Sequence, residues 1–268
     1  MEGEKGKKNK INMRIVLIIA NIIMFIAVVI VIVIGSKNFN NNINKSMSAI
    51  SKTNIQQQSV AVTFIEDDAT KNFSSKWQSI LDQKKISISI AVISSSVNTH
   101  NYMSVDELKG LYSKGYDILS ETKSYKHLDT LNTDEIQSEF QDSQSWLANN
   151  GFVTGNKVVV YPYGIKNTDT DIQNIAKQYY DYAININDSI NSIPIKNKMN
   201  VSTLDVNTTD LDSLKKEVDK VSKDGGWLIL STHSSSDDFN KDTITNLIDY
   251  ISSKNIKISK VSDVITQL

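Results

Sequence analysis

The chain lacks cysteine altogether, so whatever it folds into rests on its core alone, without a disulfide framework. Proline is nearly missing too. Pro162 and Pro194 are the two in 268 residues, and neither lies in the polar stretch ahead of the folded part. No basic stripe runs through the sequence, and a formal net charge of −1 excludes a nucleic-acid partner.

What is present begins with a long apolar run. Ile15 to Ile34 is interrupted only by Asn21, and at about 1.5 Å per residue such a helix crosses a roughly 30 Å hydrocarbon layer. Lys5, Lys7, Lys8, Lys10 and Arg14 precede it, which predicts a cytoplasmic amino terminus and an exported remainder. A cleavable signal peptide would carry a shorter apolar region and a small-x-small cleavage site, and none is found. The reading is therefore a basic segment over 1–14, a single-pass anchor in the cell membrane over 15–34, and an extracellular domain beyond. Richness in Asn, Lys, Ile and Ser fits, by association, a Gram-positive cell surface. Residues 35–58 are polar, with Asn40-Asn41-Asn42 and Gln56-Gln57-Gln58, and read as a stalk. Residues 59–268 make one domain of ordinary size.

Within that domain apolar runs at 59–65, 86–93, 157–161, 226–231 and 256–259 predict strands. Helical patterns lie between them. Ser104 with Glu107, and Asn132 with Glu135, form capping boxes, and Asn149-Asn150-Gly151 ends the second helix. Further helices fit 168–180, 210–223 and 240–253. This alternation predicts an α/β fold with a parallel sheet or barrel, whose function sits in loops at the carboxyl ends of strands. Asp67-Asp68, Tyr161 to Gly164 and Ser231 to His233 all lie at such ends. Charges at a strand end are costly unless they face a cavity, a cation or a proton-transfer task. A carboxylate pair can there supply one metal ligand and one general base.

These segments, in this order, resemble motifs of the polysaccharide deacetylase family, the NodB-homology or carbohydrate esterase 4 domain. Thr63-Phe64-Ile65-Glu66-Asp67-Asp68-Ala69 is similar to its first motif, with two residues inserted and alanine for glycine. Gly115 to Tyr125 resembles the second, Tyr161-Pro162-Tyr163-Gly164 the third, and Trp227 to His233 the fifth. The resemblance implies a distorted (β/α) barrel of the NodB-homology type and metal-assisted hydrolysis of N-acetyl groups on a polysaccharide or peptidoglycan. It makes Asp67 the base, Asp68 a metal ligand, Tyr163 the oxyanion N–H donor and His233 the acid. Tyr161, Pro162 and Leu230 fall at its substrate-binding positions.

The second motif departs from the family, because its two metal histidines fall on Glu121 and Tyr125. Zinc sites want imidazole or thiolate donors. Asp68 with Glu121, and Glu66 as a third carboxylate, would suit the harder magnesium or manganese. His127 is the other candidate to replace the missing ligand. Val160 stands where the third motif usually has arginine. Two functions follow: an anchored N-acetyl hydrolase with an altered divalent-metal site, or the same barrel kept as a carbohydrate-binding or structural surface module.

Overall fold

Alternating side chains on parallel strands set the architecture. The computed structural model describes residues 24, 35–37, 39–45 and 60–268. Among them seven strands form one closed, all-parallel barrel in sequence order. They are β1 (Val60–Glu66), β2 (Ser89–Val92), β3 (Asp117–Ser120), β4 (Val158–Val160), β5 (Tyr182–Ile186), β6 (Val201–Asp205) and β7 (Gly226–Thr232). Closure runs through β1 and β7, in register from Val60↔Gly226 to Glu66↔Thr232. Between and after the strands lie α1 (Asn72–Lys76), α2 (Gln78–Lys84), α3 (Val105–Ser113), α4 (Thr133–Asn149), α5 (Thr170–Ala176), α6 (Leu211–Asp224), α7 (Lys241–Ser253) and α8 (Val261–Ile265).

Period-two alternation divides the apolar residues. Ile65, Ala91, Leu119, Val158, Val160, Ile184, Val201 and Ile229 pack together as the barrel interior, plugged by Val261 and Val264 of α8. Their neighbours Val62, Phe64, Ile90, Ile118, Leu228 and Leu230 pack outward, with Leu108 and Leu111 of α3, Leu214 and Val218 of α6, and Leu247 and Ile251 of α7. A third cluster joins Val159, Tyr161 and Ala183 to Ile136 and Phe140 of α4 and to Ile172 of α5. Both predicted capping boxes form: Ser104 and Asn132 each accept from the N–H three residues on, and Glu107 and Glu135 accept in return.

The expected strand at 256–259 is not one. Ile258 makes a single bridge with Val62, and the chain then enters α8. Buried Asp117 binds that turn at the amino-terminal end of the barrel, accepting from the Ser262 N–H at 2.8 Å and its hydroxyl at 2.7 Å. Strands β3, β5 and β6 lie outside the apolar runs because Asp117, Asn185 and Ser202 interrupt them, each bonded within the fold.

The chain divides into two units, Met1–Gln57 and Gln58–Leu268. In the first, residues 35–37 and 39–45 are helical and exposed. The expected anchor at 15–34 lies outside the described residues, apart from Met24. Among the described residues no helix is long and apolar enough to cross a membrane.

Candidate functional site

The strand alternation carries past the end of β1 and sorts three consecutive acids. Glu66 follows Val62 and Phe64 onto the helix-facing side and is fully buried. Its Oε2 accepts from the Trp77 indole N–H at 2.9 Å and the Thr232 hydroxyl at 2.7 Å; its Oε1 accepts from the Ser234 N–H at 2.7 Å. Both oxygens are committed to the fold, so Glu66 is not the third cation ligand that sequence allowed. It instead fixes the residues on either side of His233. Burial pushes its carboxyl up to about 7, against the lowering effect of those bonds.

Asp67 falls on the opposite side, at the mouth. Its N–H donates to Thr232 O at 2.9 Å, and its Oδ2 lies 3.6 Å from His233 Nε2. Its Oδ1 is buried with no hydrogen-bond partner. Asn207 clamps the His233 backbone, its Oδ1 taking the His233 N–H at 3.2 Å and its Nδ2 donating to His233 O at 3.0 Å. The predicted base and acid are thus brought together.

Asp68 and Ala69 are both left-handed, at φ 68° and 52°. A side chain in that region costs about 1–2 kcal/mol, and Asp68 is held there by its N–H donating to Glu121 Oε2 at 2.7 Å. Glu121 arrives at the end of β3, its own N–H on Val92 O at 2.9 Å. The loop beyond it is tied to α4 by buried Glu139, which accepts from the Ser124 hydroxyl and from the Ser124 N–H at 2.7 Å. Glu139 was legible in principle, since it lies three residues after Ile136 on the helix's apolar face.

Tyr163, at φ 60°, is 52 % exposed. Its ring stacks on His127, with centroids 3.7 Å apart and planes 9° apart, and abuts Tyr125 at 4.7 Å. Pro162 beside it is buried. Two proposed substrate contacts are not at the mouth. Tyr161 is buried against α4 and α5 with its hydroxyl on Met199 O at 3.2 Å, and Leu230 is buried on the outward face of β7.

Electrostatically the mouth is a set of mutually opposed acids. Burial first, then Asp68, Glu66 and Asp205, raises Asp67 well above the usual carboxylate range. Burial, then Asp67 and Asp68, does the same to Glu121. Burial raises Asp68, while His233 pulls it down. Tyr125 is raised by burial and by Glu121, so its hydroxyl stays protonated.

A pH effect follows. A carboxyl raised on folding contributes stability that is present below its unfolded value and lost as pH rises through the folded one. For Glu66 that window runs from 4.5 to about 7. The shift corresponds to roughly 3 kcal/mol, or roughly 10 °C of melting temperature for a domain this size. Melting followed by circular dichroism should therefore show a higher midpoint at pH 4.5 than at pH 8, and Glu66→Gln should flatten the dependence. A midpoint that rises with pH across this window would refute the assignment.

The resemblance implies a divalent ion, and the donors present do not fit the zinc type. Glu121 Oε2 is taken by the Asp68 amide, Asp67 Oδ2 faces His233, and His127 is stacked on Tyr163. Tyr125, kept protonated, stands where the resemblance places the second imidazole. Among the described residues no three His, Cys, Asp or Glu side chains are placed to hold a metal ion. The proposed ligands Asp68, Glu121 and His127 are thus not gathered around one point.

Comparison with known proteins bears on the family resemblance and on the fold. Residues 52–183 match the family described as polysaccharide deacetylase. No curated protein matches the sequence. Among solved structures, a family 4 carbohydrate esterase from Streptomyces lividans in complex with acetate superposes with a TM-score of 0.55 at 14% identity, over 77% of this chain and 94% of its own. The chitin deacetylase of Colletotrichum lindemuthianum gives 0.56 at 16%, over 77% and 88%. A family 4 acetyl xylan esterase from Clostridium thermocellum, solved with a cobalt ion, gives 0.56 at 15%, over 77% and 91%. At these identities the structures establish the shared barrel fold.

Proposed function

Starting from a barrel whose residues 52–183 match the polysaccharide deacetylase family, we propose that this domain binds an N-acetylated polysaccharide or peptidoglycan strand at the carboxyl mouth of the barrel. One observation carries the reading: the half-exposed Tyr163 stacks on His127 and abuts Tyr125, whose hydroxyl feels Asp67, the neighbour of His233. An aromatic surface takes the apolar face of a sugar ring, and fixed polar groups next to it orient hydroxyl and acetamido groups. The apolar run over 15–34, with its basic flank, supports a single-pass anchor that holds the domain outside the cell membrane. Calorimetry of the domain with N-acetylglucosamine hexamer should give saturable binding, and Tyr163→Ala should weaken it about tenfold, the worth of one aromatic contact. No binding of the hexamer or of solubilised peptidoglycan would sink the proposal.

A second reading, retained hydrolysis, is favoured by the Asp67–His233 pair and the unpartnered Asp67 Oδ1. In it Asp67 takes a proton from water, protonated His233 delivers one to the leaving amine, and the Tyr163 N–H meets the oxyanion charge. Acetate release, measured on the same samples, separates the two readings. Turnover abolished by Asp67→Asn supports hydrolysis, and zero release with intact binding supports recognition alone.

A further inference from the structure

Beyond the mouth, the outer shoulder of the barrel carries a connected row of side-chain amides. It begins at buried Asn185 near the end of β5, whose Oδ1 takes the Ile165 N–H at 2.8 Å and whose Nδ2 donates to Ile165 O at 2.9 Å. That pair grips the loop carrying Tyr163. A side chain on Gly164, at φ 71°, would stand 3.0 Å from Asn185 Oδ1 and 3.4 Å from Ile186 Cβ, so the loop lies directly against this strand end. Asn185 Nδ2 and Asn187 Nδ2 both donate to Asn200 Oδ1, at 2.8 and 2.9 Å. Asn200 Nδ2 donates to Asn167 Oδ1 at 2.8 Å. Gln173 Nε2 then reaches Asn167 O at 3.2 Å, and Asn197 Nδ2 reaches Gln173 Oε1 at 2.9 Å.

The row ends in a built feature. Gln173 and Asn197 line a groove of about 870 Å³, with Lys177, Tyr182 and Lys198 among its other walls. That volume lies within the roughly 300–1,000 Å³ of ligand clefts. Beside the row, Ile186 is 47 % exposed and lies against Gly164, the residue after exposed Tyr163. No charged side chain joins the amide row itself before the groove. Asn167 Nδ2 donates to no group among the described residues, so a donor remains free along the row.

We infer that this amide row is a binding track for several consecutive sugar units, leading a polysaccharide strand from the mouth to the groove beside α5. The exposed or half-exposed Asn167, Asn187 and Asn197 keep amide hydrogens for the paired hydroxyls of a neutral sugar, while buried Asn185 and Gln173 are spent within the row and hold it in place. The amides are also locked by one another before any ligand arrives, so ordering them costs little on binding. Exposed Tyr163 and Ile186 offer apolar surface for ring faces along the same path. This rests on the proposal that the mouth binds polysaccharide.

The test compares N-acetylglucosamine dimer and hexamer by calorimetry. The hexamer should bind at least about tenfold tighter than the dimer, since added contacts within one strand raise affinity. Asn167→Ala and Asn197→Ala, each with an unchanged circular dichroism spectrum, should bring the hexamer down to the affinity of the dimer. Dimer and hexamer bound equally would overturn the track while leaving the mouth proposal standing, as would folded variants that keep the length dependence. Loss of binding to both ligands in the natural sequence would instead strike at the mouth proposal itself.

Discussion

Replacing Glu121 and Tyr125 together with histidine should give the domain about one tightly held zinc ion per chain, the three-ligand set of open zinc sites being completed with Asp68. The natural sequence should hold none after dialysis. The argument is one of donors. Glu121 stands where the resemblance places an imidazole, and its Oε2 is already used by the Asp68 amide at 2.7 Å. Tyr125 is kept protonated by burial beside three acids. Neither offers the nitrogen zinc prefers. With zinc at about a thousand times its dissociation constant, the double variant should gain about 4 kcal/mol, or roughly 12 °C of melting temperature in a domain of this size. Metal content by atomic absorption and melting with and without chelator give two readouts independent of turnover. Stoichiometric zinc in the natural protein would overturn the donor argument, and so would a folded double variant that binds none.

Glu66→Ala should be the most destabilising single substitution at the mouth, by about 3–5 kcal/mol, the cost of stranding buried donors and opening a cavity. Three donors converge on this carboxylate: the Trp77 indole, the Thr232 hydroxyl and the Ser234 N–H. Removing it leaves the Trp77 indole and the Ser234 N–H unsatisfied in a fully buried position, while the Thr232 hydroxyl keeps Ile65 O at 3.2 Å. Because Thr232 and Ser234 flank His233, the 3.6 Å approach of His233 to Asp67 should loosen as well. Urea denaturation checks the first effect, and the His233 ring resonances in NMR check the second. A loss below about 1 kcal/mol, the scale of a neutral surface change, would show that these bonds are not holding the mouth together.

The contrast between these two predictions shows what could be read in advance. Asp67, His233 and Glu121 were legible as neighbours because each ends or directly follows a strand, and parallel strands in a closed barrel bring those ends together. The capping boxes at Ser104 and Asn132 were legible because they are local. Strands β3, β5 and β6 were not, since Asp117, Asn185 and Ser202 break their apolar pattern and find partners only in the tertiary fold. His127 was a plausible ligand by proximity in sequence to Tyr125, and the loop turns it onto Tyr163 instead.

Sequence by itself determined the alternation of strands and helices, the resemblance of the motifs to the polysaccharide deacetylase family, and Glu121 and Tyr125 at the positions where that resemblance places imidazoles. The tertiary structure decided which side each residue faces. Val60 to Ile65 carry apolar side chains on both faces, Val62 and Phe64 on one and Ala61 and Ile65 on the other, so the run does not reveal which side is the interior. Only closure of the barrel sends Ile65 inward and Phe64 outward. The same alternation then commits Glu66 to the helices and leaves Asp67 at the mouth. It also turns Tyr161 and Leu230 outward into the packing, whereas Tyr163, past the end of β4 in a left-handed turn, stays in solvent. A period of two has two phases, and packing alone chose between them.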